Sequence, residues 1–465
     1  MKLLNKTARF SATAVAVAAL LMPTLSQADT LEQAVAKTLD THPELRVAFN
    51  RFKAREAQID QAFSGYLPTV ELSAGWGLEN TDSPSTRRNP LNRSNEGEVE
   101  LKRGEAGVSI RQMLFDGFRT TSEVERFTYE ATAEQWTLIA AAEDIALEVA
   151  QVYLKFMQAE QVLTLAQKNL QTHKDIYSQI KQRTDSGLGS TADLSQITGR
   201  LARANANVIS AQNNLYDAIA EYRSVTGVVP SETIMPVPDA DQLPATYEGT
   251  IKVAGEYHPV LKSASQDIKA AESEKSSRES SYYPTITIEL NGNWNNDING
   301  EDGRSFTSDV GGHSNDLQAM VRMRYDLFAG GRDAALNRES AYKINEAKEV
   351  RERAYRQIIE GASLAWNAYE LLPPQKQYIR EHVVAAKETQ AAYAQQFNLG
   401  QRSLLDLLDT ENELFEARKD YLQAEFDETL AQYRVLNATG QLLGSLQVTR
   451  PETWRGENEY EEGAY

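Results

Sequence analysis

The sequence predicts a mostly α-helical chain that also carries transmembrane β-strands, and three observations predict it. Four segments of about 10 to 13 residues alternate strictly between apolar and polar side chains, the period of a strand with one apolar face. Two much longer stretches are almost free of helix breakers, and the whole pattern is written twice along the 465 residues.

The duplication is legible by alignment of the two halves. His42-Pro43 recurs as His258-Pro259, and Tyr66-Leu67-Pro68-Thr69-Val70 as Tyr282-Tyr283-Pro284-Thr285-Ile286, both at a shift of 216. At a shift of 213, Leu114-Phe115-x-Gly117 matches Leu327-Phe328-x-Gly330, and Thr226-Gly227 matches Thr439-Gly440. The same shift pairs Gly187-x-x-Ser190-x-x-Asp193-Leu194 with Gly400-x-x-Ser403-x-x-Asp406-Leu407. The expected organisation is a leader at 1–28, a first structural repeat at 29–240, a second at 241–445, and a polar, acidic tail at 446–465.

The leader has Lys2, Lys6 and Arg9 ahead of an apolar run from Phe10 to Met22, then Ser26-Gln27-Ala28 as a small-x-small cleavage site. An apolar run that short cannot span a bilayer, so it reads as a secretory signal peptide and the chain is expected outside the cytoplasm. No later segment offers about 18 consecutive apolar residues, so any crossing of a membrane has to be made by strands.

The strands are expected at about 68–80 and 104–116, and again at about 284–296 and 316–328. In the first, Val70, Leu72, Ala74, Trp76 and Leu78 oppose Thr69, Glu71, Ser73, Gly75 and Glu79. In the third, Ile286, Ile288, Leu290 and Trp294 oppose Thr287, Glu289, Asn291 and Asn293. The lengths fit transmembrane strands, and Trp76 and Trp294 are candidate membrane-interface aromatics. The intervening segments 81–103 and 297–315 read as polar loops on the outer side. Four strands cannot close in hydrocarbon, where an open edge is not tolerated, so the chain has to oligomerise. Two chains would give eight strands and a filled interior, whereas three would give twelve and leave a lumen.

After each strand pair the helical signal is long. Arg119 to about Thr184 contains neither proline nor glycine, and Asp333 to about Leu399 repeats that length with Pro373-Pro374 inside it, where a local kink is expected. At 1.5 Å per residue each is about 100 Å of helix. Leu407, Leu414 and Tyr421, flanked by Leu408, Phe415 and Leu422, carry the seven-residue spacing of a coiled-coil seam. A helical bundle about three times longer than a bilayer is thick, attached to a β-barrel, suggests a duct across the periplasm; the bland alternative is a helical scaffold or adaptor that merely reaches across it, which the doubled strand pairs disfavour.

Composition removes other classes. A formal net charge of −18 disfavours nucleic acid as a partner. The absence of cysteine excludes disulfides, thiolate metal sites and an N-terminal lipid on cysteine. The five histidines are too scattered for a metal cluster, and no reactive constellation suggests an enzyme, so neither a metal nor a cofactor is expected.

With its doubled order of helix, YLP or YYP, strand pair, LFDG or LFAG and helix, and with both G-x-x-S-x-x-D-L elements, the sequence resembles the TolC family of outer-membrane export proteins from about Leu31 to Leu443. The resemblance implies a homotrimer: a 12-stranded β-barrel in outer-membrane lipid, continued by a 12-helix periplasmic α-barrel. It also implies two partners, a periplasmic adaptor (membrane fusion) protein and an inner-membrane transporter. The segment QMLFDGFRT leans towards type I protein secretion with an ABC transporter; a multidrug efflux pump is the alternative, and a trimeric porin a further one.

By the same resemblance the G-x-x-S elements are the periplasmic tip turns, built on Gly187, Ser190, Gly400 and Ser403. Asp406 and Asp409 match the paired entrance aspartates of the family, a periplasmic gate and selectivity element. Arg402 matches its gate-linking arginine and Asp193 the acid that arginine can engage, while Phe397 replaces a tyrosine some members use in the same link. The bland readings are a solvated i,i+3 acidic pair and a local Arg402–Asp406 pair, worth a few tenths of a kcal/mol. With threefold symmetry the two aspartates would instead form a ring of six carboxylates, a device for cation selection.

Overall fold

The computed structural model describes residues 30–82, 98–297 and 312–457. The leader, most of both outer loops and the end of the tail lie outside the described residues. The element order is duplicated, as expected. Helices α1 (Leu31–Thr41) and α2 (Pro43–Phe63) lead through a 3₁₀ turn to strands β1 (Thr69–Asp82) and β2 (Glu98–Phe115). Two helices follow, α3 (Arg119–Asp185) and α4 (Thr191–Thr226). The second copy then runs α5 (Tyr247–Tyr257), α6 (Pro259–Glu279), β3 (Thr285–Asp297), β4 (Gly312–Arg324), α7 (Arg332–Asn398) and α8 (Leu404–Ala438). A four-residue helix, α9 (Leu442–Ser445), and a 3₁₀ turn at Glu452–Arg455 complete the described residues. Helices α3 and α7 are each 67 residues long, and α7 remains helical through Pro373-Pro374.

Packing divides the chain into two units, and neither coincides with a repeat. One gathers Ile139–His258 and Gln357–Glu452 with the described residues up to Val47; the other gathers Ala48–Leu138, Pro259–Arg356 and the chain from Thr453 on.

In the second unit the four strands form one antiparallel sheet in the order β1-β2-β3-β4. Its odd-numbered positions on β1 and β3 carry the polar face, where Arg103 pairs with Glu79 at 2.7 Å and Arg322 with Glu289 at 3.0 Å. The opposite face is apolar and open: Leu72 is 77% and Leu78 81% exposed, and Leu317, which pairs with Gly292 on β3, 87%. Such a face excludes a sheet packed on the chain's own core. Among the described residues β1 and β4 each pair on one side only, which leaves both edges open.

Four strand boundaries differ clearly from expectation. β1 and β2 run further outward, to the pair Asp82↔Glu98, so most of the expected loop at 81–103 reduces to residues outside the description. β4 ends at Arg324, short of the expected 328, and starts earlier, at Gly312. The cause is its partner: β3 begins at Thr285, just after Pro284, which has no N–H to give a ladder, so Tyr325–Phe328 find nothing to pair with. A bulge between Met113 and Phe115 lets β2 continue against Ile286 on its other side.

The first unit is built on long helices with a repeating seam. On α4 the buried residues Ile197, Ala204, Ala211 and Ala218 recur every seven positions, and on α8 so do Ala417, Ala424 and Ala431. Small residues at these positions let the backbones approach. One core couples four helices: Ile176 and Ile180 from α3, Ile197 from α4, Phe397 from α7, and Leu404, Leu407 and Leu408 from α8.

Candidate functional site: the helix-hairpin tips

The G-x-x-S-x-x-D signature is an instruction for ending one helix and starting the next. At the end of α3, Gly187 takes φ +72°, its N–H donates to the Thr184 carbonyl at 3.0 Å, and the Leu188 N–H donates to the Arg183 carbonyl at 2.9 Å. At the end of α7, Gly400 takes φ +73°, with its N–H on the Phe397 carbonyl at 3.0 Å and the Gln401 N–H on the Gln396 carbonyl at 2.9 Å. Both are Schellman turns, in which a left-handed residue satisfies the last helical carbonyls. A Cβ at either glycine would meet nothing within 4 Å, so the backbone angle and not crowding calls for glycine.

Three residues on, a serine opens the next helix, and here the two copies diverge. The Ser190 hydroxyl accepts from the Ala192 N–H at 3.1 Å. The Ser403 hydroxyl accepts from the Asp406 N–H at 3.2 Å and donates to the Asp406 carboxylate at 2.8 Å, and that carboxylate accepts from the Ser403 N–H at 3.3 Å. Asp406 is thus the return half of a capping box, in the first turn of α8, where the helix dipole suits a negative charge. Asp193 occupies the same place in α4, yet makes no hydrogen bond or ion pair among the described residues.

The charges around the tips do not all meet as the sequence suggests. Arg402 and Asp193 are not brought together within the chain. Instead the Arg402 side chain stays on its own hairpin: its Nε donates to Gln396 Oε1 at 3.0 Å, and its guanidinium lies 4.3 Å from the Tyr393 ring centroid. Phe397 is buried in the shared core, with the Arg183 guanidinium 5.4 Å from its ring centroid. A cation–π contact therefore stands where a tyrosine would offer a hydroxyl. Asp409, one turn beyond Asp406, accepts from Arg200 Nη2 of α4 at 2.6 Å.

Arg183, Tyr393 and Arg200 are absent from the residues singled out on sequence grounds. A signal for Arg200 existed: it sits three residues after the seam residue Ile197, a position that flanks a coiled-coil seam and suits a charge reaching the neighbouring helix. Gln196, the repeat counterpart of Asp409, gives no such hint.

A buried carboxylate lies further along the same unit. Glu143 of α3 is only 3% exposed and accepts from the Leu442 N–H at 2.9 Å and the Leu443 N–H at 3.3 Å, the first amides of α9. Burial pushes its pKa up to about 7, against the pull of those two amides and of Arg450. Among the described residues no three His, Cys, Asp or Glu side chains converge as metal ligands.

On the sheet, Trp76 stands opposite Gly104 and Trp294 opposite Ala106, so both tryptophans lie near the same level of the apolar face. Trp76 is 76% exposed; the Trp294 indole lies back over Gly292. No helix among the described residues is long and apolar enough to cross a membrane.

Comparison with known proteins agrees with this architecture. The family model described as outer membrane efflux protein matches residues 34–228 and again 250–441, one match per repeat. Outer membrane efflux protein BepC of Brucella suis is 24% identical over 433 residues, covering 93% of this chain and 90% of its own. Outer membrane protein TolC of Vibrio cholerae is 26% identical over 425 residues, covering 89% and 91%. Among solved structures, the Campylobacter jejuni CmeC outer membrane channel superposes with a TM-score of 0.73 at 15% identity, covering 89% of this chain and 86% of that one.

Proposed function

The chain belongs to the outer membrane efflux protein family, as an outer-membrane channel component with a periplasmic helical extension, and from that premise we propose that three copies close into one passive exit duct. The observation that carries this reading is the sheet with an open apolar face and two unpaired edges, since such edges need strands from other copies to close a barrel in lipid. The helices support it independently. Leu364, Leu371 and Tyr378 recur every seven residues along α7, are all exposed, and have no cover among the described residues; Ile209 and Tyr216 do the same on α4.

In this duct the G-x-x-S hairpin tips form the periplasmic entrance. Asp406 and Asp409 line it, and Arg402, Asp193 and Phe397 belong to the contacts that hold the tips. The protein supplies a path, and a periplasmic adaptor and an inner-membrane transporter supply the energy. The cargo we assign is protein, delivered by an ABC transporter in type I secretion. The efflux names carried by relatives such as BepC favour small molecules as the second reading. Deleting the gene while keeping the transporter should abolish export of one class and leave the other.

The entrance assignment is tested in planar bilayers. Asp406→Asn with Asp409→Asn should weaken both cation selectivity and block by multivalent cations; an unchanged reversal potential would remove the two aspartates from the conduction path.

A further inference from the structure

The ion pair between Arg200 and Asp409 joins two hairpins that are 209 residues apart in the chain. Among the described residues the other polar contacts of Asp406 and Arg402 stay inside their own hairpin: Asp406 with Ser403, and Arg402 with Gln396. Arg200 comes from α4 of the first hairpin and Asp409 from α8 of the second, so separating the hairpins has to break this bond. The Arg200 side chain is 25% exposed and that of Asp409 57%, so the pair sits at a wet edge above the apolar core of Ile197, Leu404, Leu407 and Leu408. The core resists sliding of the tips, and the pair fixes their register.

The pair also changes the charge of the entrance. Asp409 is opposed by a cation at 2.6 Å, whereas Asp406 is held only by a neutral hydroxyl and an amide. We propose that Arg200 is a positioning residue that clasps α8 to α4 through Asp409, and that while the clasp is closed only Asp406 of the two entrance aspartates presents free negative charge to the passing ion. In a closed trimer that pair then contributes three effective carboxylates, and parting of the hairpins unmasks three more. Opening and cation preference are thereby coupled in one contact. This inference rests on the duct reading above.

The test uses the full-length protein in planar bilayers at low and high salt, with conductance and block by a multivalent cation as separate readouts. Arg200→Gln should raise conductance and strengthen block, because Asp409 is freed. Asp409→Asn should raise conductance without strengthening block. An exposed pair of this kind shifts the open-to-closed ratio by about two- to fivefold per chain, and the shift should shrink at high salt. The double variant should match the single ones in conductance, and the charge-swapped pair Arg200→Asp with Asp409→Arg should return it towards wild type, a rescue that mere loss of folding cannot produce. Wild-type conductance and block in Arg200→Gln, with block still weakened by Asp406→Asn, would overturn the clasp alone. No effect of Asp406→Asn would overturn the entrance assignment itself.

Discussion

Glu143→Gln should make the protein's stability less dependent on pH, in a direction opposite to that of most carboxylates. In the unfolded chain Glu143 ionises near 4.5, and in the folded one near 7, because burial disfavours the charged form more than the Leu442 and Leu443 amides and Arg450 favour it. Below the unfolded value both states hold the proton and the group costs nothing. As pH rises towards 7 the unfolded state releases its proton while the folded state keeps it, so stability falls, and it levels off once both are ionised. The span of about 2.5 pH units corresponds to about 3 kcal/mol lost between pH 4.5 and 8, at 1.36 kcal/mol per unit. Glutamine has no proton to lose and keeps an oxygen for the Leu442 amide. Guanidinium unfolding of wild type and variant, followed by far-ultraviolet circular dichroism across that range, isolates this group from the others that titrate. The variant should gain on wild type as pH rises. Parallel stability curves would refute the argument, since they would mean that Glu143 ionises at the same pH folded and unfolded.

Two further outcomes test the turn chemistry. Ser403→Ala removes both bonds of the Ser403 hydroxyl, the one from the Asp406 N–H and the one to the Asp406 carboxylate, while the Ser403 N–H keeps its bond to that carboxylate; it should cost about 1 kcal/mol, more than Ser190→Ala, which removes a single bond, and thermal unfolding of the two variants side by side checks the order. Gly400→Ala should cost about 1 to 2 kcal/mol through its left-handed backbone alone, and Gly400→Asn less, so equal melting temperatures for all three proteins would show that the turn relaxes without cost.

The sequence by itself determined the elements and their order. Alternation of period two made the strands legible, because each residue's face in a strand depends only on its own position. The Gly187 and Gly400 turns were legible for a related reason: a left-handed residue followed by a capping serine is complete within seven residues. The duplication then gave each element an internal control. Boundaries were less secure where they depended on a neighbour, as at the end of β4, which stops because β3 has no ladder group to offer beyond Thr285.

Only the tertiary structure decided which charges meet. Arg402 has an acid four residues away and another across the repeat, yet it settles on Gln396 and Tyr393, while Asp409 finds Arg200. Glu143 gives no local sign that it will receive the amides of Leu442 and Leu443, some 300 residues further on. A long charged side chain has many reachable partners and small energetic preferences among them, so its choice is fixed by the seam that brings two helices together. The alanines of α4 and the leucines of α8 set that seam, and the ion pair follows from it.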